Sequence, residues 1–241
     1  MAAFEGIINA SGRALLASSR CYAIDKGEAV AVAFDFKKEY KDLYHATSRP
    51  SIVDVPPMTY IAVRGSGDPN EEGGAYQASI GVLYALAYTI KMSKRGDHVI
   101  DGYFDFVVPP LEGFWWQEGV RGVSYADKAS FQWVSAIRVP DFVTPAELGW
   151  AAGAAAKKKG LDCSSAHLVQ MEEGLCVQAL HVGPFDDEPA TVTQMDEFLA
   201  REGYENDFSE SRRHHEIYLS DARRVAPEKW RTIIRHPVRK A

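Results

Sequence analysis

The chain has 241 residues, 46% of them hydrophobic and 25% charged, which is enough to bury a core as one large domain or two small ones and excludes a disordered tail. A net charge of −6 argues against a whole-surface nucleic-acid binder, and the basic surplus from Ser209 onward reads as a solvated surface. Cys21, Cys163 and Cys176 form no CxxC pair, and the N-terminus carries no signal peptide or membrane span, so a reducing cytoplasm is the expected setting.

Residues 1–33 show no sustained period and read as an extension of uncertain order. From Phe34 the spacing of Phe36, Tyr40, Leu43 and Tyr44 predicts a short docking helix. Pro50, Pro56 and Pro57 then break the chain before a strand over Met58 to Arg64. A glycine-rich loop, a helix from Ala75 to Met92, and strands around Tyr103 to Val108 and Phe131 to Val139 complete a first unit, spanning about residues 50–140. Thr144, Pro145 and Glu147 open a linking helix over 144–159 with a capping box, and Gly160 closes it. A second unit at about 170–238 repeats the pattern: strand Leu175 to Val182, helix Ala190 to Glu202 closed by Gly203, then strands His214 to Ser220 and Arg231 to Arg235. The expected fold class is therefore α+β, two β-α-β-β units whose antiparallel sheets join and leave a ligand cleft between the halves.

Gly65-Ser66-Gly67 is not a dinucleotide fingerprint, because Asp68, Glu71 and Glu72 would face the pyrophosphate and the third glycine is missing. In a strand, His214, Glu216 and Tyr218 share one face while His215, Ile217 and Leu219 share the other, so the adjacent histidines point apart and a two-His metal site is not expected. Ile217 and Leu219 are expected under the helices, which turns Glu216 and Tyr218 toward the cleft. Leu111-Glu112-Gly113-Phe114-Trp115-Trp116 is the most unusual stretch, too rich in rings for a tight turn and unlike a simple edge strand. With Trp133, Tyr60 and the tyrosine stripe that includes Tyr84, it suggests an aromatic wall for a flat, partly apolar molecule. Glu112 and Glu216 are each a lone carboxylate beside apolar or aromatic residues and are read as matched positions in the two repeats. Gly-x-Ser-x-Gly and paired Cys/His patterns are missing, so no covalent nucleophile is indicated.

Phe34-Asp35-Phe36-Lys37-Lys38-Glu39-Tyr40, Val53-Asp54-Val55-Pro56-Pro57-Met58, Gly67-Asp68-Pro69-Asn70, Leu111 to Trp116, His181 to Glu188 and His214 to Asp221 together resemble the stand-alone branch of the GyrI-like small-molecule-binding family, from about Phe34 to Val238. The resemblance implies the duplicated fold over residues 34–241 and an aromatic small-molecule ligand, held by a glutamate at the position of Glu216. Some stand-alone relatives are hydrolases that open the cyclopropane of spiro-cyclopropyl dienone alkylators, chemistry that needs no metal or organic cofactor. On this basis Glu216, Glu112 and Tyr218 are the catalytic candidates. Trp115, Trp116, Trp133, Tyr60, Tyr84, Phe114 and His214 are the candidates for ligand contact. The alternatives are a non-catalytic module for cationic aromatic drugs and a protein inhibitor of a DNA enzyme such as gyrase. No nucleic-acid or membrane partner is expected, and the chain is compatible with a monomer or a homodimer.

Overall fold

The computed structural model describes residues 22–25 and 28–241, with side chains from residue 32 onward; the order of residues 1–21 in the extension lies outside the described residues. Strands β1 (Tyr22–Asp25) and β2 (Glu28–Ala31) pair with each other. The expected docking helix is two single turns, α1 (Phe36–Glu39) and α2 (Lys41–Tyr44), split where Tyr40 leaves helical geometry; Asp35 caps the first by accepting from the Lys37 amide.

The main body follows as β3 (Ser51–Val55), β4 (Met58–Ser66), α3 (Ala75–Lys91), β5 (Leu111–Trp116), β6 (Gln132–Arg138), α4 (Pro145–Lys159), β7 (Ala166–Met171), β8 (Gly174–Val182), α5 (Glu188–Glu202), β9 (Tyr204–Asn206), β10 (His214–Tyr218) and β11 (Arg231–Lys240). Both halves are thus β-α-β-β, β4-α3-β5-β6 and β8-α5-β10-β11, and every named strand pair in the main sheet is antiparallel. The halves join through β5 and β10, in the order β3-β8-β11-β10-β5-β6-β4-β7, with β9 on the free end of β11. Each half borrows an edge strand: β3 precedes β4 but pairs with β8, and β7 precedes β8 but pairs with β4. Only Pro56 and Pro57 separate β3 from β4, although the two strands lie near opposite ends of the sheet. Adjacent strands sit about 4.8 Å apart, so two linking residues can bridge that span only if the sheet curls its ends together.

Two sequence expectations change. Tyr103 to Val108 forms no strand; a single bridge, Phe34 to Phe106, holds it, and Asp105 is tied down by Lys91 (3.1 Å) and Lys94 (2.6 Å). The second strand of the first unit is instead Leu111 to Trp116, a central strand with all six residues buried. A strand buried on both faces loses the alternation that would reveal it. In α4, Thr144 accepts from the Glu147 amide and Gly160 ends the helix with φ 63°. The Glu147 carboxylate does not complete the capping box, because it pairs with His98 at 2.6 Å. Among the described residues no helix is long and apolar enough to cross a membrane.

Register decides which side chains share a face, since directly opposed residues point the same way. Glu216 stands opposite Gly113 and Ile234, and Gly113 stands opposite Ser135. Ser79 of α3 bonds Ser135 at 3.2 Å, and Met195 and Leu199 of α5 pack on Ile234 and Ala179. Both long helices therefore cover the Glu216 face. Ile217, expected under them, faces the other way beside Glu112 and Ile233 and is buried beneath α1 and α2. Leu219, past the end of β10, lines the cleft rim.

The face under α1 and α2 holds a buried ionic network in place of plain hydrocarbon. His215 lies 3.0 Å from Glu112 and 2.9 Å from Glu173, and Arg235 reaches Glu173 at 3.3 Å, Gln178 at 2.9 Å and the Leu43 carbonyl at 2.7 Å. Tyr44 donates to Glu112 at 3.1 Å. With His215 protonated, two cations face two carboxylates and the buried charge balances. Burial alone would lower the His215 pKa, but the Glu173 and Glu112 carboxylates outweigh it and hold it raised. Burial likewise works against the Glu173 carboxylate, yet His215 and Arg235 hold its pKa below the usual range.

Stability should follow these signs. The His215 contribution is complete below its ordinary value of 6.5 and is lost as pH rises through the raised folded value. The Glu173 contribution is complete above 4.5 and is lost as pH falls through its lowered folded value. Urea unfolding across about pH 5 to 9 should show the alkaline decline. His215→Gln should remove that slope and cost about 3 to 5 kcal/mol near pH 6, because it leaves buried carboxylates unpaired.

Candidate functional site

A cleft of about 1370 Å³ opens on the helix-covered face, between α3 and the turn that leads into α5. Its floor is β5 and β10, through Trp115, Glu216 and Tyr218; Tyr76, Ile80 and Tyr84 form the α3 wall, and Tyr125, Phe131, Phe185 and Trp230 close the other sides. Aromatic rings on the floor and walls suit a flat, partly apolar ligand, and Lys128, Asp186, Asp221 and Arg223 add charged groups to the lining.

Gly113 makes this floor possible. A Cβ there would lie 2.5 Å from Trp115 Nε1 and 2.8 Å from the Tyr218 hydroxyl, so only glycine lets the indole fold back over the strand. Trp115 Nε1 donates to the Tyr218 oxygen at 3.0 Å, and the Tyr76 hydroxyl donates to it at 3.4 Å. With its oxygen accepting twice, the Tyr218 proton is left to donate elsewhere. Burial, then the Glu216 charge, hold the Tyr218 pKa well above its usual value, so it is a neutral donor.

Glu216 is buried but reaches the cleft, with His214 Nε2 2.9 Å from its Oε1. The other ring nitrogen of His214 lies 2.7 Å from His236 Nε2. Glu188, from the first turn of α5, is fully buried beside Glu216; the Tyr125 hydroxyl donates to its Oε2 at 2.6 Å. Burial, then the neighbouring Glu216 charge, push the Glu188 carboxyl well above the usual carboxylate range. Glu188 therefore holds a proton beside an acceptor, which makes the pair an acid–base couple. The donor atoms of Glu188, His214 and Glu216 lie within 4.8 Å of one another, the geometry of groups able to share a proton or a cation.

Of the residues named from sequence, the structure brings Glu216, Tyr218, Trp115 and Tyr84 together on the cleft and sets His214 directly behind Glu216. The others lie elsewhere. Glu112 stands opposite Ile217 on the far face, inside the ionic network. Nor is it the repeat partner of Glu216. Gly67 and Gly183 make equivalent bonds, to the carbonyls of Phe131 and Trp230, and the registers then align Glu112 with His215. Phe114 shares the far face, stacked 4.0 Å from His215, and Tyr60 meets Phe114 edge-on at 6.0 Å. Trp116 also points away, under the guanidinium groups of Arg213 (4.6 Å) and Arg64 (5.1 Å). Trp133 is on the correct face but lies flat over Gly65, where a Cβ would come within 2.3 Å, and behind Tyr76. Sequence reasoning missed Tyr125, Tyr76, Phe185 and Trp230 as cleft groups, and Glu188 as the buried partner of Glu216. Tyr76 left a signal as a member of the tyrosine stripe on α3, and Phe185 and Glu188 lie in the His181 to Glu188 block that carries the family resemblance.

The two tryptophans at the end of β5 therefore separate by experiment. A planar aromatic ligand should quench Trp115 emission, and Trp115→Ala should weaken binding by about 1 to 3 kcal/mol, while folded Trp116→Phe keeps wild-type affinity. Fluorescence titration of both variants measures this. Gly113→Ala should reduce affinity in the same direction by displacing Trp115 and Tyr218.

The GyrI-like small molecule binding domain matches residues 48–239. No curated protein matches the chain. Among solved structures, a hydrolase from Listeria innocua is 48% identical with a TM-score of 0.78, covering 86% of this chain and 100% of its own. An uncharacterized conserved protein from Listeria innocua is 51% identical with a TM-score of 0.81, over the same 86% and 100%. The duplicated β-α-β-β sheet, the cleft at its centre and the extent of these matches together place the chain in the GyrI-like small-molecule-binding family.

Proposed function

We propose that this protein is a hydrolase, independent of organic cofactors, that takes electrophilic aromatic compounds of the spiro-cyclopropyl dienone class into the cleft and opens their cyclopropane ring with water. The observation that carries the reading is Glu216 at the floor of an aromatic-walled cleft, with the buried Glu188 carboxyl against it and the Tyr218 donor beside it. Its similarity to a protein described as a hydrolase supports the reaction class.

The chemistry needs three actions from these residues. Trp115, Tyr76 and Tyr84 hold the planar ligand, which replaces a search through solution by a fixed approach of water. Glu216 accepts a proton from that water as its oxygen bonds to the cyclopropyl carbon. The breaking carbon–carbon bond sends its electron pair through the conjugated ring to the carbonyl oxygen, where the Tyr218 hydroxyl stabilises the charge and the oxygen finally takes a proton as a phenol. The proton that Glu216 takes from water passes on to the phenolate oxygen, with the Tyr218 hydroxyl as the relay, so Glu216 is again a carboxylate and Glu188 again protonated when the phenol has formed.

Glu216→Gln keeps size and hydrogen bonding but removes the acceptor. Turnover of a spiro-cyclopropyl dienone, followed as phenol appearance, should fall about tenfold or more with KM nearly unchanged. Wild-type turnover in this variant removes Glu216 from the reaction. A second reading, a binding module for cationic aromatic molecules, is favoured by the same carboxylate lying among aromatic rings. It requires the opposite result: no turnover by the wild type, and Glu216→Gln lowering affinity for a cationic dye more than for a neutral one.

A further inference from the structure

We propose that Glu188, His214 and Glu216 form a binding site for one divalent transition-metal ion, Zn²⁺ by the chemistry of its donors, beneath the cleft. Glu188 is 0% exposed, His214 1% and Glu216 7%, and their donor atoms lie within 4.8 Å of one another. Among the described residues no Lys or Arg pairs with either carboxylate; the only ion-pair partner of Glu216 is His214, and Glu188 has none. Two carboxylates side by side in a dry place need a positive charge between them, either a proton or a cation.

Glu188 Oε1 is the second sign. It is buried, and among the described residues no donor group reaches it, while Oε2 of the same carboxylate takes the Tyr125 hydroxyl; the proton that the couple shares is what a metal ion would displace. A buried carboxylate oxygen with no donor is a ligand position waiting for one. The outer shell is also built. His214 Nδ1 lies 2.7 Å from His236 Nε2, which fixes the ring and lets Nε2, the nitrogen toward Glu216, offer its lone pair to a metal. Tyr125 does the same for Glu188.

One imidazole nitrogen with two carboxylate oxygens suits Zn²⁺ and its transition-metal neighbours and does not suit Mg²⁺ or Ca²⁺, which favour all-oxygen sites. Metal–ligand distances of about 2.0 to 2.2 Å put donors roughly 3 to 4 Å apart, so the widest pair must close by at most about 1 to 2 Å, within reach of carboxylate rotation. Glu216 also lines the cleft, which leaves a coordination position open to solvent. An ion here occupies the Glu216 lone pair, so the metal-bound form and the form in which Glu216 accepts a proton exclude each other. The metal proposal does not rest on the hydrolytic reading, because binding is measured with no substrate present.

The test uses the full chain, stripped with a chelator and titrated with Co²⁺, followed by visible absorption and then by displacement with Zn²⁺. One Co²⁺ per chain, with ligand-field bands lost on adding Zn²⁺, is the expected result. Glu188→Gln should weaken Co²⁺ binding at least about tenfold, and His236→Gln about 10- to 100-fold. His98→Gln, which removes the separate His98–Glu147 pair, should leave binding unchanged. Circular dichroism checks that each variant is folded; if Glu188→Gln does not fold, His236→Gln decides. Failure of the wild type to bind Co²⁺ overturns the proposal, as does wild-type affinity in the folded deciding variant.

Discussion

The antiparallel pairing of β5 with β10 is the constraint from which the rest follows. It joins the two β-α-β-β units into one sheet and sets Glu216 across from Gly113 and His214 across from Trp115. Because side chains alternate along both strands, one register assigns every residue in the centre of the molecule to one of two environments. A slip of one residue would exchange the cleft floor for the ionic interior.

The two faces handle buried charge in opposite ways. Under α1 and α2, His215 and Arg235 meet Glu112 and Glu173, and each group finds a counter-ion in a closed network. Under α3 and α5, Glu188 and Glu216 lie together, and among the described residues His214 is their only ion-pair partner. The first arrangement fixes structure, since its charges already cancel. The second stores an electrostatic deficit that a proton, or an incoming positive group, relieves, and it lies where a ligand can reach it. Placing the balanced network directly behind the unbalanced pair gives the site a stiff support on β5 and β10.

Much of the architecture was legible because its signals are local. Thr144, Pro145 and Gly160 mark the linking helix, Gly203 ends α5, and the repeated strand–helix–strand–strand pattern needs only periodicity. β5 was hidden because both its faces are buried, so its six residues show no alternation. The same double burial hides the orientation of Ile217: an apolar residue is expected on the helix side, yet both sides of β10 are interior and the polar His215 shares the face of Ile217. Phe114, Trp115 and Trp116 are contiguous in sequence and invite one shared role, but a strand sends alternate residues to opposite sides. Glu188 belongs to a different element from Glu216, and nothing in the local pattern at Glu188-Pro189 announces that their carboxylates meet.

The exchange of edge strands has a consequence for how the chain is made. During synthesis β3 leaves the ribosome before any of the sheet, yet Val53 pairs with Cys176, and β8 must be finished before β3 has a neighbour. The first repeat cannot settle as a finished unit either, because Met58 of β4 pairs with Met171 of β7, which follows the linking helix. Loop-closure entropy is therefore met late and all at once, and the nascent chain carries unpaired strand edges until its second half emerges. The chaperones that attend such edges, and the pace of translation through the second repeat, become part of what determines the yield of native protein.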